Sequence, residues 1–170
     1  VVLVDNLDDG FSVTREDGPA SYAARDAKDR PKLRKWSGWL SPSAWSRWTY
    51  DGRWTRPFGR FDETAAVKRG TEKGEMPATW TAKLPPGEWQ AETFLPPPDN
   101  PTGPDPAKTF EYVVTGARGD HAVSLALGAG SVGWADLGRY RFDGEAVVKL
   151  LDKGEGLVVA DAVRFTKVSP

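Results

Sequence analysis

The sequence predicts an all-β domain, a sandwich or barrel of short strands, on three observations. Apolar and polar residues alternate with a two-residue period, as in "MPATWTAKL", where Ala78, Trp80, Ala82 and Leu84 share one face. Turn-forming clusters recur between such runs: "GARGD", "GAGSVG", "DGE" and "DKGEG". No long helical period lies between them. A length of 170 residues with 39% apolar content fits one domain spanning 1–170.

The elements follow in order. "VVLVDN" is an apolar run closed by "LDDG" and followed by "FSV", which reads as strand, tight turn and strand. After "MPATWTAKL", "LPPG" predicts a turn and "EWQAETFL" a further strand. The Pro-rich stretch 96–106 cannot join a ladder, because proline lacks the N–H, and is expected to be an exposed loop. "KTFEYVVTG", "DHAVSLALG", "WADLGRYRF", "EAVVKLL" and "LVVADAVRF" complete the strands, for roughly eight to ten in all. "GAGSVG" matches a dinucleotide-binding glycine pattern, but the strand-like "WADLGRYRF" after it leaves no helix to meet a pyrophosphate. It reads as a turn, as does "ARGD" at Arg118 to Asp120.

Composition removes several function classes. Zero Cys excludes disulfides, thiolate metal sites and thiol nucleophiles, and a single His argues against a His-based triad and a His-rich metal site. His121, beside a turn, is expected to be a surface residue. A net charge of −1 does not suit a nucleic-acid binder, and no apolar run is long enough to span a membrane. No pair of carboxylates is placed by spacing as acid and nucleophile, so the expectation is a non-enzyme. With neither an initiator Met nor a signal peptide, the sequence reads as a domain cut from a longer precursor.

One segment, 15–75, breaks the rhythm and reads as an insertion. Between Arg25 and Arg60 ten Lys or Arg stand against three Asp, and five of the eight Trp lie in the same window. "SPSAWSRW" predicts one or two helical turns, with Ser41 as N-cap and Pro42 behind it. Indole faces stack on the C–H faces of sugar rings, and guanidiniums make bidentate contacts to carboxylates or sulfates. Trp36, Trp39, Trp45, Trp48, Tyr50 and Trp54, with Arg47, Arg53 and Arg56, are therefore candidate ligand-binding residues. Two other readings stay open: a satellite core pinning the insertion to the sandwich, or an interface with a neighbouring domain or subunit.

"VDNLDDGFSV", "ATWTAKLPPGEWQAE", "GWADLGRYRF" and "GLVVADAVRF", across residues 3–14, 76–95 and 133–166, carry a family pattern. They resemble the golvesin C-terminal-like domain, the carbohydrate-binding-module-like domain also attached to xanthan lyase. The resemblance implies a galactose-binding-like β-sandwich jelly roll, here with a Trp/Arg-rich insertion. It implies a non-catalytic accessory module of a bacterial extracytoplasmic protein that binds polysaccharide; the Arg-rich segment adds the preference for an acidic one. The alternative is a structural or protein-interaction module packing against its parent enzyme or a partner subunit. The resemblance also implies a structural calcium ion, which carbohydrate-binding jelly rolls commonly hold between acidic residues of the first and last strands. Asp5 and Asp161 occupy such positions, whereas an EF-hand counted from Asp5 fails because Leu7 stands where an oxygen ligand is required.

Overall fold

A computed structural model describes residues 1–21, 45–52, 64–98, 105–128 and 130–168, with backbone alone at 50–52 and 64. The strands run β1 Val2–Asp5, β2 Phe11–Arg15, β3 Gly18–Ala20, β4 Thr49–Gly52, β5 Thr64–Arg69 and β6 Ala78–Leu95. They continue β7 Thr109–Gly116, β8 Gly119–Ala126, β9 Gly133–Leu150, β10 Leu157–Ala160 and β11 Ala162–Lys167. All eleven pair antiparallel. One sheet has the order β1-β11-β6-β9-β7-β8, with β2 and β3 attached at β6, and the other is β10-β5-β4. The all-β jelly-roll sandwich expected from the sequence is the fold observed.

Three local expectations are corrected. "LPPG" and "DGE" do not reverse the chain but lie inside the 18-residue strands β6 and β9. They face each other in the ladder: pairing steps from Leu84↔Gly144 to Gly87↔Phe142, leaving Pro85 and Pro86 as a bulge opposite Asp143. Two turn-prone sequences in register bend together instead of folding back, and the prolines stand exposed where no ladder N–H is needed. Gly144 takes a φ of 120° at that bend, a region costly for any residue with a Cβ. Conversely, "LVVADAVRF" is two strands, because the chain crosses from one sheet to the other at Asp161. The Pro-rich stretch is not simply exposed: Pro96, Pro97 and Pro106 are buried, and Pro106 bridges to Leu157. Residues 99–104 lie outside the described residues.

The inner faces share one core. Trp80 packs on Phe11 with ring centroids 5.3 Å apart, and Phe142 meets Phe165 edge-on at 5.7 Å. Val67, Val158 and Val159 bring the smaller sheet into the same cluster. Each such side chain contributes about 1.5–3 kcal/mol on burial. A buried ion pair, Lys68 Nζ to Asp152 at 2.7 Å, joins β5 to the loop after β9. Asp152 also accepts the Met76 N–H at 2.8 Å, and Lys68 donates to the Arg69 carbonyl, so neither charge is left with a single contact.

Candidate functional site

The structure separates the candidate aromatics. Trp48 is 1% exposed and donates its indole N–H to the Met76 carbonyl at 2.7 Å. Its carbonyl in turn accepts from Arg15 at 3.2 Å. With no accessible face it cannot stack on a sugar, and it belongs to the core. Trp45 is half-buried against that core, within a 3₁₀ turn at residues 45–46, and Arg47 is exposed. Tyr50 lies in β4, paired with Ala66. Trp36, Trp39, Trp54, Arg53 and Arg56, together with Ser41 and Pro42 of the expected helical turn, lie outside the described residues.

Asp5 and Asp161 do come to one end of the large sheet, since Asp5 pairs with Ala162. Both are buried, as is Asn6. Asp5 Oδ2 accepts the Leu7 N–H at 3.1 Å, which makes it the anchor of the β1–β2 turn. The Asp161 carbonyl accepts the Trp80 indole N–H at 3.4 Å where the chain changes sheets. Nearby, burial raises the Tyr112 phenol well above its ordinary value, while the hydrogen bond shared with Thr93 opposes and the Asp161 charge adds. Among the described residues no three His, Asp or Glu gather around a possible ion.

A polar groove that the sequence did not single out lies on the outer face of β6, β9 and β11. Strand alternation sets it: Gln90, Glu92 and Phe94 point away from the core while Trp89, Ala91, Thr93 and Leu95 point into it. The registers align these with neighbours in rows: Thr166, Gln90 and Arg139; Arg164, Glu92 and Asp136; Phe94 and Trp134. A bulge between Ala91 and Glu92 in the ladder turns Leu137 inward, 2% exposed, and leaves both Asp136 and Arg139 facing out. It is closed by two bonds of 2.6 Å, Gly138 N–H to Asp136 and Tyr140 O–H to the Leu137 carbonyl.

The side chains of this face hold one another. Arg164 makes a bidentate pair with Glu92 at 2.6 and 2.8 Å, and its guanidinium lies 4.3 Å above the Trp134 ring centre. The hydrogen bonds to Glu92 raise the Arg164 guanidinium above its usual value. Phe94 braces Trp134 edge-on at 5.2 Å. Gln90 donates to Asp136 and accepts from Arg139 Nε, the latter at 2.9 Å. Gln90, Glu92, Asp136, Arg139 and Arg164 line a groove of about 540 Å³, together with Thr166 and Lys167. It presents planar amide, carboxylate and guanidinium groups, which suit paired hydroxyls or an anionic substituent on a ring. The available sequence signal was Phe94, an aromatic placed on the polar side of an otherwise alternating strand, with Arg164 set between buried Val163 and Phe165.

The fold is shared with a solved structure of Paenibacillus xanthan lyase: 99% of this chain aligns with 13% of that chain at a TM-score of 0.66 and 23% identity. What is common at that identity is the fold, and the chain spans about an eighth of the lyase's length. A ruminal GH26 endo-beta-1,4-mannanase aligns at a TM-score of 0.42 with 12% identity, over 68% of this chain and 22% of that one. TmCBM61, solved in complex with beta-1,4-galactotriose, aligns at 0.39 with 10% identity, over 98% and 88%. No protein-family model matches the sequence, and no curated protein matches it.

Proposed function

We propose that this chain is a non-catalytic accessory module of a larger bacterial extracytoplasmic protein, and that it binds polysaccharide, preferably acidic, on the outer face of β6, β9 and β11. The observation that carries the reading is the groove of mutually braced planar polar side chains over a rigid antiparallel ladder. Such groups are held before a ligand arrives, so binding costs little side-chain ordering. The carboxylates support a non-catalytic role, because Glu92 is locked to Arg164, and Asp136 to Gln90 and the Gly138 N–H. Neither is poised to carry a proton to and from a substrate. The fold shared with one segment of xanthan lyase, and the resemblance to the golvesin C-terminal-like domain, support an appended module. Trp36, Trp39, Trp45, Tyr50, Trp54, Arg47, Arg53 and Arg56 are retained as further glycan contacts, with Trp48 removed.

Calorimetric titration against neutral and acidic polysaccharides tests this. Saturable binding is expected, weakened about tenfold or more by Gln90→Ala combined with Asp136→Ala, since each removes a made hydrogen-bonding group. Unchanged thermal unfolding of the double variant separates lost binding from lost fold. A flat titration across the panel, or an indifferent double variant, overturns the reading. Self-association or capture of a neighbouring domain, with no glycan binding, favours the interaction module.

A further inference from the structure

Beside the groove, and sharing Arg139 with it, a second cleft of about 210 Å³ opens between the β7–β8 turn and β9. Arg118, Arg139, Arg141 and His121 line it, against one carboxylate, Glu88. At roughly 30 Å³ per water, this is the space of about seven waters, enough for one charged substituent with part of its ring.

The cationic wall is built, not merely exposed. The turn carrying Arg118 is closed by Thr115 Oγ1 donating to Asp120 at 2.6 Å. It is seated on β9 by the Ala117 N–H bonding the Arg141 carbonyl at 2.8 Å. Gly116 permits that seating, since a Cβ there would lie 3.1 Å from the Arg141 carbonyl oxygen. Across the cleft, Arg139 is held by Gln90 at 2.9 Å. The floor is Tyr140, fixed through its hydroxyl to Leu137 and covered by the His121 ring at 5.1 Å. Arg141 leans on Asp143 at 3.2 Å, an exposed pair whose screened attraction leaves the guanidinium free to turn to a better anion.

We propose that this cleft is the anion subsite of the module, taking the carboxylate or sulfate of an acidic glycan whose adjoining residues lie in the groove. The assignment rests on the glycan reading above and adds where the charge is recognised. Guanidiniums on two sides of a small cleft suit a planar or tetrahedral oxyanion with several acceptors. The "RGD" tripeptide is then the scaffold of this wall: its Arg faces the cleft and its Asp is engaged within the hairpin.

The test compares wild type with Arg118→Gln plus Arg141→Gln, two exposed positions whose replacement leaves the core intact. The probes are a glucuronic-acid oligosaccharide, a neutral oligosaccharide of equal length and inorganic sulfate. Isotherms are read at low and high salt, with NMR shifts of the Arg Nε–H groups. The subsite is supported if the acidic oligosaccharide loses about tenfold in affinity in the variant and most of its salt dependence, while neutral binding is unchanged. Equal loss for both probes, or none for the acidic one, overturns the subsite and leaves the glycan reading standing. If no oligosaccharide binds but sulfate shifts the Arg118 and Arg141 signals, the groove reading falls and the cleft stands as a free-anion site. Absence of both responses overturns both.

Discussion

On the inner face of β6, Trp80 is fully buried, packed on Phe11 and hydrogen-bonded to the Asp161 carbonyl. On the outer face of β9, Trp134 is half-buried, with Arg164 above its ring and Phe94 at its edge. The same contrast holds for ion pairs. Lys68–Asp152 and Arg164–Glu92 have nearly equal lengths, 2.7 and 2.6 Å, but side-chain exposures of 3% and 1% against 31% and 20%. The contacts alone do not tell scaffold from surface. The medium around them does, because removing one partner inside leaves a charge or a cavity that water cannot repair.

The largest effects therefore come from the inside. Asp152→Ala is expected to destabilise the domain by about 3–5 kcal/mol, a large part of the roughly 5–15 kcal/mol of a typical fold. Replacing both partners, Lys68→Met with Asp152→Leu, should recover much of that loss, because no lone charge remains. Trp80→Ala is expected to cost a similar 3–5 kcal/mol through the cavity it leaves beside Phe11. Urea unfolding of the three variants checks both; a single Asp152 variant as stable as wild type breaks the contrast.

Next in size is an alkaline effect. Burial holds the Tyr112 phenol protonated to well above the range in which an unfolded tyrosine ionises, about pH 10. The folded state then keeps a proton that the unfolded chain releases. Stability is fully present below about pH 10 and declines as pH rises beyond it towards the folded value. Tyr112→Phe should flatten that decline while losing the hydrogen bond to Thr93, 3.1 Å long, for about 1 kcal/mol at neutral pH. Stability curves at pH 7 to 11 for both proteins read the difference. An unchanged alkaline slope would assign the decline to other groups.

The period-two pattern made most strands legible, and the register follows from burying one face, as the inward run Trp80, Ala82 and Leu84 shows. The bends at Pro85 and at Gly144 were not legible, because a turn and a paired bulge use the same residues and differ in what lies opposite. The break at Asp161 was hidden for a similar reason: both flanks are apolar, and only the pairing partners reveal that they belong to different sheets. For the candidate site, the density of Trp and Arg marked 36–56, yet Trp48 is core. A count of aromatics carries no information on which face is dry. Trp134 and Arg164 lie 30 residues apart in the chain, and their meeting depends on β6 lying between their strands.

The smallest predicted effect is the sharpest test of the outer face. Glu92→Gln keeps the shape and one acceptor oxygen but removes the charge from the bidentate pair with Arg164. Because the pair is partly exposed, water and the Trp134 ring compensate, and the loss of stability should stay below about 1 kcal/mol. Its consequence for binding should be larger than for folding. Freed from Glu92, the Arg164 guanidinium gains an unpaired donor edge over the groove, so an acidic oligosaccharide should bind as tightly as to wild type or tighter. Titration and urea unfolding on one preparation separate the two quantities. Weaker acidic binding with unchanged stability would mean that Glu92 itself contacts the ligand, adding a groove carboxylate to the recognition carried by the arginine-lined cleft.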